Sequence, residues 1–300
     1  MKTIGSYKVI ERLGTSVFLV ERGRRTAALK MLQRDYADAP EVVARCFSDA
    51  CSASATRHHG IVRVHDVGLT ASGRPFIVSE LVEGEPLTRV LARGPLPLRN
   101  ALRIARRIAR ALAAAHERGV AHGALEPDAI IVDSERIKLL GFGFAHLAGG
   151  PAFACLDPAH QPIYASPEQC RAESTFDERS DLYALGCIMY ALIAGKPPFS
   201  RGSAGSLMMS HLVARPPALA APAEIRELVT ALLSKHPAYR PSAAYVVAVL
   251  DGQLRDVTTP GVVALRWVAA LSLLATLAVT GAPVVTLAAA NVARCLCPVL

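Results

Sequence analysis

The chain lacks any Cys-x-x-Cys pair. Its seven cysteines (Cys46, Cys51, Cys155, Cys170, Cys187, Cys295 and Cys297) show no metal-ligand spacing, which argues against a zinc site. Scattered single thiols fit a reducing compartment. There is no internal repeat. The opening stretch Met1 to Tyr7 has no apolar leader core, so no signal is expected to carry the main body across a membrane from that end. Acidic residues are missing from Leu87 to His116, where seven arginines stand in a chain of net charge +8. Aromatics make up 5% of the chain and none interleaves with these arginines, so no nucleic acid is expected as a partner. Serine and threonine are absent from residues 144 to 165.

What is present reads as a strand-rich region followed by helices. Tyr7 to Leu13, Val17 to Val20, Ala27 to Leu32, Ile61 to Val67 and Phe76 to Leu81 carry strand patterns, and Pro40 to Arg57 a helical one. Helical patterns dominate after residue 98. Strands first and helices later fit an α+β chain in two lobes. Arg103, Arg106, Arg107 and Arg110 share one helix face, opposite Ile104, Ala105, Ile108 and Leu112. That face reads either as solvated surface or as a patch for an acidic partner or anionic lipid.

At 52% hydrophobic the chain can bury a substantial core, and much of its mean hydropathy of +0.31 comes from the C-terminal forty residues. A charge-free run of twenty-seven residues spans Trp267 to Ala293, and a bilayer core takes about twenty apolar residues as a helix. Gly281 and Pro283 are tolerable within such a helix. The expected layout is therefore a main domain at 5–250, a short polar linker at 251–261, one transmembrane helix at 262–290 and a short tail at 291–300. Arg255 and Arg266 precede the run and Arg294 follows it. This thin bias expects the main domain on the cytoplasmic side of a single-pass cell-membrane protein.

Four motifs fall in a recognisable order. Ala27-Ala28-Leu29-Lys30 is similar to V-A-I-K, and Ser166-Pro167-Glu168 to A-P-E. His122-Gly123-Ala124-Leu125-Glu126-Pro127-Asp128-Ala129 has the frame of H-R-D-L-x-x-x-N, and Gly141-Phe142-Gly143 stands where D-F-G follows it. With Arg179 to Gly186 and Tyr239-Arg240-Pro241, residues 5 to 250 resemble the bacterial Ser/Thr protein kinases of the eukaryotic-like type. The resemblance implies a bilobal kinase-like fold with a small β-rich N-lobe and a helical C-lobe, to which the apolar run adds one C-terminal transmembrane helix. It also implies a pairing of Arg240 with Glu168 and a nucleotide cleft bordered by Val17, Ala28, Lys30, Asp49, Ser79, Glu80, Val82 and Ile131.

The departures from the pattern fall on the chemistry. Ala124 replaces the catalytic Asp, Ala129 the metal-binding Asn, Gly141 the D-F-G Asp, and Glu126 the lysine common at its place. The position that pairs with Lys30 maps to Asp49. Gly14 and Val17 are separated by Thr15 and Ser16 alone, which makes the glycine loop four residues short. A hairpin cut back this far is not expected to lay N–H groups over phosphates. The resulting expectation is a catalytically inactive, membrane-anchored pseudokinase that scaffolds or regulates signalling proteins, including an active kinase. No catalytic residue, metal or cofactor is expected, and ATP without metal binds weakly at most. The alternatives are a divergent active Ser/Thr kinase using ATP and a membrane-bound nucleotide sensor.

Overall fold

A computed structural model describes residues 3–32, 40–134, 136–143, 162–171 and 177–256. The expected transmembrane helix at 262–290, the tail and most of the serine-free stretch lie outside these residues. Among the described residues, no helix is long and apolar enough to cross a membrane. The chain divides into two units, 1–252 and 253–300. All that follows concerns the first.

The N-lobe is a six-stranded antiparallel sheet in the order β1-β2-β3-β4-β6-β5. Its strands are β1 Thr3–Ile4, β2 Tyr7–Arg12, β3 Val17–Arg22, β4 Arg25–Met31, β5 Val64–Leu69 and β6 Pro75–Ser79. Strand residues alternate between faces, so Val20, Ala27, Leu29 and Val78 fall on one side with Ile4, Tyr7 and Phe76 and form the lobe's core. Helix α1, Pro40–Ala55, packs on the sheet through Cys46 and Ala50, which meet Leu32 and Ile77.

The C-lobe begins after the hinge. It holds α2 Leu87–Leu91, α3 Leu98–His116, a three-stranded sheet of β7 Glu85–Pro86, β8 Ile130–Asp133 and β9 Arg136–Leu139, and then α4 Pro167–Cys170, α5 Glu178–Ala194, α6 Ala204–Val213, α7 Ala223–Leu232 and α8 Ala243–Asp256. Helix α8 therefore runs through 251–256, the first part of the expected linker. Helix α5 is buried on all sides from Ser180 to Leu192, as an apolar helix without a polar face must be. The apolar stripe of α3 (Ile104, Ala105, Ile108 and Leu112) is buried as its spacing predicts. Its arginine face is less free than expected. Arg106 and Arg110 both donate to Asp251 of α8, at 2.9 and 3.0 Å.

The lobes are stitched behind the cleft. Leu139 N–H donates to the Gly60 carbonyl at 2.8 Å, and Val62 N–H to the Leu139 carbonyl at 3.0 Å.

Candidate functional site

The site is a cleft of about 410 Å³ between the two lobes. Sheet residues Val17, Ala28 and Lys30 form its roof, and Ser79, Glu80, Leu81 and Val82 its hinge wall. Its floor is Ala124, Glu126, Asp128, Ala129, Ile131, Leu140 and Gly141. The structure thus gathers every expected cleft residue except Asp49, which is not part of the lining. The α1 residues that do line it are Ala50 and Ala53.

At the tip of the roof, the shortened hairpin closes on itself. The N–H groups of Leu13 and Gly14 both turn to the Val17 carbonyl, at 2.9 and 3.1 Å. Arg12 clamps the turn from outside, donating to the Gly14 and Thr15 carbonyls at 2.9 and 2.7 Å. Two backbone donors of the turn are therefore spent inside it.

The hinge is tied to the floor by Glu80. It accepts from Arg63 N–H at 2.9 Å and from the Lys138 ammonium. Burial pushes the Glu80 carboxyl up, and these two donors overcome that push and leave it below the usual carboxylate range.

The floor hangs from Asp181 of α5. One carboxylate oxygen accepts from Gly123 N–H at 2.7 Å, and the other from His122 N–H at 2.8 Å and His116 Nε2 at 2.9 Å. Gly123 sits at φ 71°, where the absence of a Cβ relieves strain. The His122 ring donates from Nε2 to the Leu140 carbonyl at 2.8 Å, while Nδ1 accepts from Ala124 N–H at 3.3 Å. Burial lowers the His122 pKa, which suits a neutral ring with one donor and one acceptor. Phe142 packs against this ring at a tilt of 56°, with centroids 4.6 Å apart. Gly143, at φ 83°, passes so near α1 that an added Cβ would stand 2.3 Å from the Cys46 carbonyl oxygen.

Lys30 keeps contact with water through the mouth of the cleft. The protein walls around it pull its pKa below the ordinary lysine value, and the charges of Glu126 and then Cys46 pull it back. The cleft therefore brings Glu126 into the electrostatic surroundings of Lys30. Glu126, which stands where the family commonly has lysine, and Asp128 both line the cleft. The signal that could have found them is their place between the buried Leu125 and Pro127 and the half-buried Ala129, which hold the segment against the floor. Asp128 also accepts from the Thr88 hydroxyl.

Positions 124, 129 and 141 carry no side-chain oxygen. Among the described residues no group of three or more His, Cys, Asp or Glu could hold a metal ion. The residues present do not fit the magnesium site of the family's pattern.

A strand-rich lobe and a helical lobe enclosing a cleft with one lysine on its roof define a kinase-type body. The chain matches the protein kinase domain model over residues 12–249, and it belongs to that family. Among curated proteins it is 36% identical to serine/threonine-protein kinase pkn3 of Myxococcus xanthus, over 73% of this chain and 43% of that protein. It is 35% identical to serine/threonine-protein kinase PknA of Mycobacterium tuberculosis, over 77% of this chain and 56% of that one. Against serine/threonine-protein kinase PrkC of Bacillus subtilis the identity is 32%, over 79% and 38%. The chain thus spans about half the length, or less, of these curated relatives. The crystal structure of the M. tuberculosis PknI kinase domain superposes with a TM-score of 0.67 at 30% identity, over 84% of this chain and 97% of that one.

These relatives correct one expectation. Catalytic inactivity was expected from Ala124, Ala129 and Gly141, but the proteins this chain resembles are named Ser/Thr protein kinases, which points to kinase enzyme activity.

Proposed function

We propose that this chain is a divergent Ser/Thr protein kinase that takes ATP into the interlobe cleft. The observation that carries this reading is the cleft itself, with Lys30 on its roof in a body similar to proteins named Ser/Thr protein kinases. The apolar residues Val17, Ala28 and Ile131 sandwich the base, and hinge residues Glu80 to Val82 border its edge. Lys30 supplies positive charge to the phosphates. Asp128, which lines the cleft on the loop with the frame of the family's catalytic loop, then supplies the carboxylate that accepts a proton from a hydroxyl substrate. A positioned general base typically contributes about 10²–10⁴-fold. With alanine at position 124 and an internally bonded hairpin, transfer is expected to be slow.

The test is phosphate transfer from radiolabelled ATP to a basic Ser/Thr substrate by the purified chain, beside Lys30→Met and Asp128→Asn. Slow transfer that falls in both variants supports the reading. Transfer no faster than that of Lys30→Met overturns it.

A second role, as a platform for signalling partners, is supported by the C-lobe, whose anchors are complete although the floor is altered. In the same proposal residues 262–290 attach the chain to the cell membrane with the kinase domain inside. Arg103 and Arg107 then face an acidic partner or anionic lipid beside the Asp251-bound Arg106 and Arg110.

A further inference from the structure

A second cavity lies in the C-lobe and shares no lining residue with the interlobe cleft. Its volume is about 810 Å³. Pockets of about 300–1,000 Å³ receive drug-sized ligands, so it has room for a few residues of extended peptide and not for a folded domain. It is lined by the last turn of α5, the loop from Lys196 to Arg201 that follows, and residues 217–220 ahead of α7. Pro95, ahead of α3, and Ser210 of α6 complete it.

These parts are fixed by contacts. Leu96 N–H donates to the Leu192 carbonyl at 2.9 Å, which pins the turn at Pro95 to α5. Gly195 ends α5 in the left-handed region at φ 74°, and an added Cβ there would stand 2.8 Å from Pro95 Cδ. Pro197, Pro198 and Pro217 restrict the backbone further. The Phe199 ring meets the His211 ring edge-on with centroids 5.1 Å apart, and the Lys235 ammonium lies 4.9 Å from the Phe199 centroid. A groove ordered beforehand loses little binding free energy to ordering.

Its chemistry is one-sided. Among the described residues that line it, the charged ones are Lys196 and Arg201, both exposed, and none is aspartate or glutamate. Lys235 brings a third positive charge to its edge, donating to the carbonyl of the lining residue Ser210 at 3.3 Å. Tyr190, Phe199 and Leu219 supply apolar surface. Charge of one sign along a groove draws in the opposite sign, and complementary charge selects among partners.

We infer that this groove docks an acidic, extended segment of a protein partner. Its apolar side chains enter among Tyr190, Phe199 and Leu219, and its carboxylates meet Lys196 and Arg201. The inference goes beyond the proposed kinase reading and does not depend on nucleotide binding. The groove is also distinct from the arginine face of α3, none of whose arginines lines it.

The test uses the purified full chain in uncharged detergent and a short fluorescein-labelled peptide in which glutamates alternate with leucine and phenylalanine. Fluorescence polarisation should show binding that weakens with salt, and no binding of the same peptide with lysine in place of glutamate. Lys196→Glu/Arg201→Glu should weaken binding by about tenfold or more. Arg103→Glu/Arg107→Glu, the same change of net charge on α3, should leave it unaltered. Ala218→Glu places a carboxylate in the lining without touching the Lys196 loop, and should also weaken binding. It decides the matter if the double variant melts early. A carbodiimide should join the bound peptide to Lys196 and not to Lys8 of the N-lobe, as read by peptide mass spectrometry. Equal loss in the two double variants overturns the inference, since bulk charge then explains the binding. So do loss in the α3 variant alone, equal binding of the acidic and lysine peptides, and no binding to the unsubstituted chain.

Discussion

The buried anchor of the C-lobe and the floor of the cleft differ in the polar groups they hold. At the anchor Glu168 and Arg240 form a two-pronged ion pair, with oxygen–nitrogen distances of 2.6 and 2.8 Å and side chains 5% and 0% exposed. Ser180 adds a hydrogen bond to Glu168 at 2.6 Å, and Arg240 donates further to the carbonyls of Ser234, Arg179 and Lys235. On the cleft floor, positions 124, 129 and 141 have no polar side chain. The difference follows from where the groups sit. A buried charge that loses its partner stays buried and unpaired, at a cost of several kcal/mol. A group that faces an open cleft can be removed without orphaning anything in the fold. Folding therefore constrains the anchor and leaves the floor to be set by chemistry alone.

The largest expected effect breaks the anchor. Arg240→Ala leaves Glu168 buried without its partner and should lower stability by about 3–5 kcal/mol, read from urea unfolding. Ala124→Asp, which adds a polar group facing the cleft, should change the same midpoint little. A comparable loss from Ala124→Asp would remove the distinction between the two regions.

The second effect is a pH dependence from the C-lobe core. His211 is fully buried, and its Nδ1 accepts from the Tyr183 hydroxyl at 3.0 Å. Burial, followed by the positive charge of Lys235, pulls its pKa from 6.5 down to about 4. Between these values the unfolded chain takes up a proton that the folded chain refuses. The stabilising contribution is complete above about pH 6.5 and is lost as the pH falls toward 4, by about 3 kcal/mol in all. His122, its pKa also lowered by burial, acts in the same sense. His211→Asn should flatten, but not abolish, this acid limb in thermal melts taken from pH 7 to pH 4.

A smaller effect tests the segment after the cleft floor where it passes α1. Gly143→Ala brings a Cβ against the Cys46 carbonyl oxygen at a residue with φ 83°. Such strain costs about 1–3 kcal/mol. Because the clash is with α1, the variant should also alter protection from hydrogen exchange along Val42 to Ala50, which Arg240→Ala should affect only by global unfolding.

Much of this body was legible in the residues. Strand patterns at Tyr7, Val17, Ala27 and Phe76, and the helical one from Pro40, match observed elements because one buried face imposes its period on the sequence. The Glu168–Arg240 pair was legible because both partners sit in short recognisable motifs. The surroundings of Lys30 were not. The spacing pointed to Asp49, whereas the α1 residues in the cleft lining are its neighbours Ala50 and Ala53. Counting along a chain fixes a helix's rotation no better than that. Glu126 was hidden for another reason: the floor's approach to the roof depends on lobe packing, which leaves no periodic trace.

The smallest expected effect concerns the arginine face of α3, where the contrast between buried and open polar groups should nearly vanish. Asp251 accepts from both Arg106 and Arg110, and the three side chains are 29%, 25% and 43% exposed. Burial pushes the Asp251 carboxyl up, but the hydrogen bonds from Arg110 and Arg106 win and hold it below the usual range. Exposed pairs of this kind are worth about 0.2–1 kcal/mol and fade with salt. Asp251→Asn should therefore cost less than about 1 kcal/mol at low salt, and nearly nothing at 1 M salt. It should also release two arginines from their shared carboxylate. If the face receives anionic lipid, the variant will bind vesicles containing phosphatidylserine more tightly than the unsubstituted chain, in a form of the protein ending at residue 256. Equal binding by both would show that the Asp251 pairing does not govern lipid contact at this face, and would leave it as a solvated helix surface.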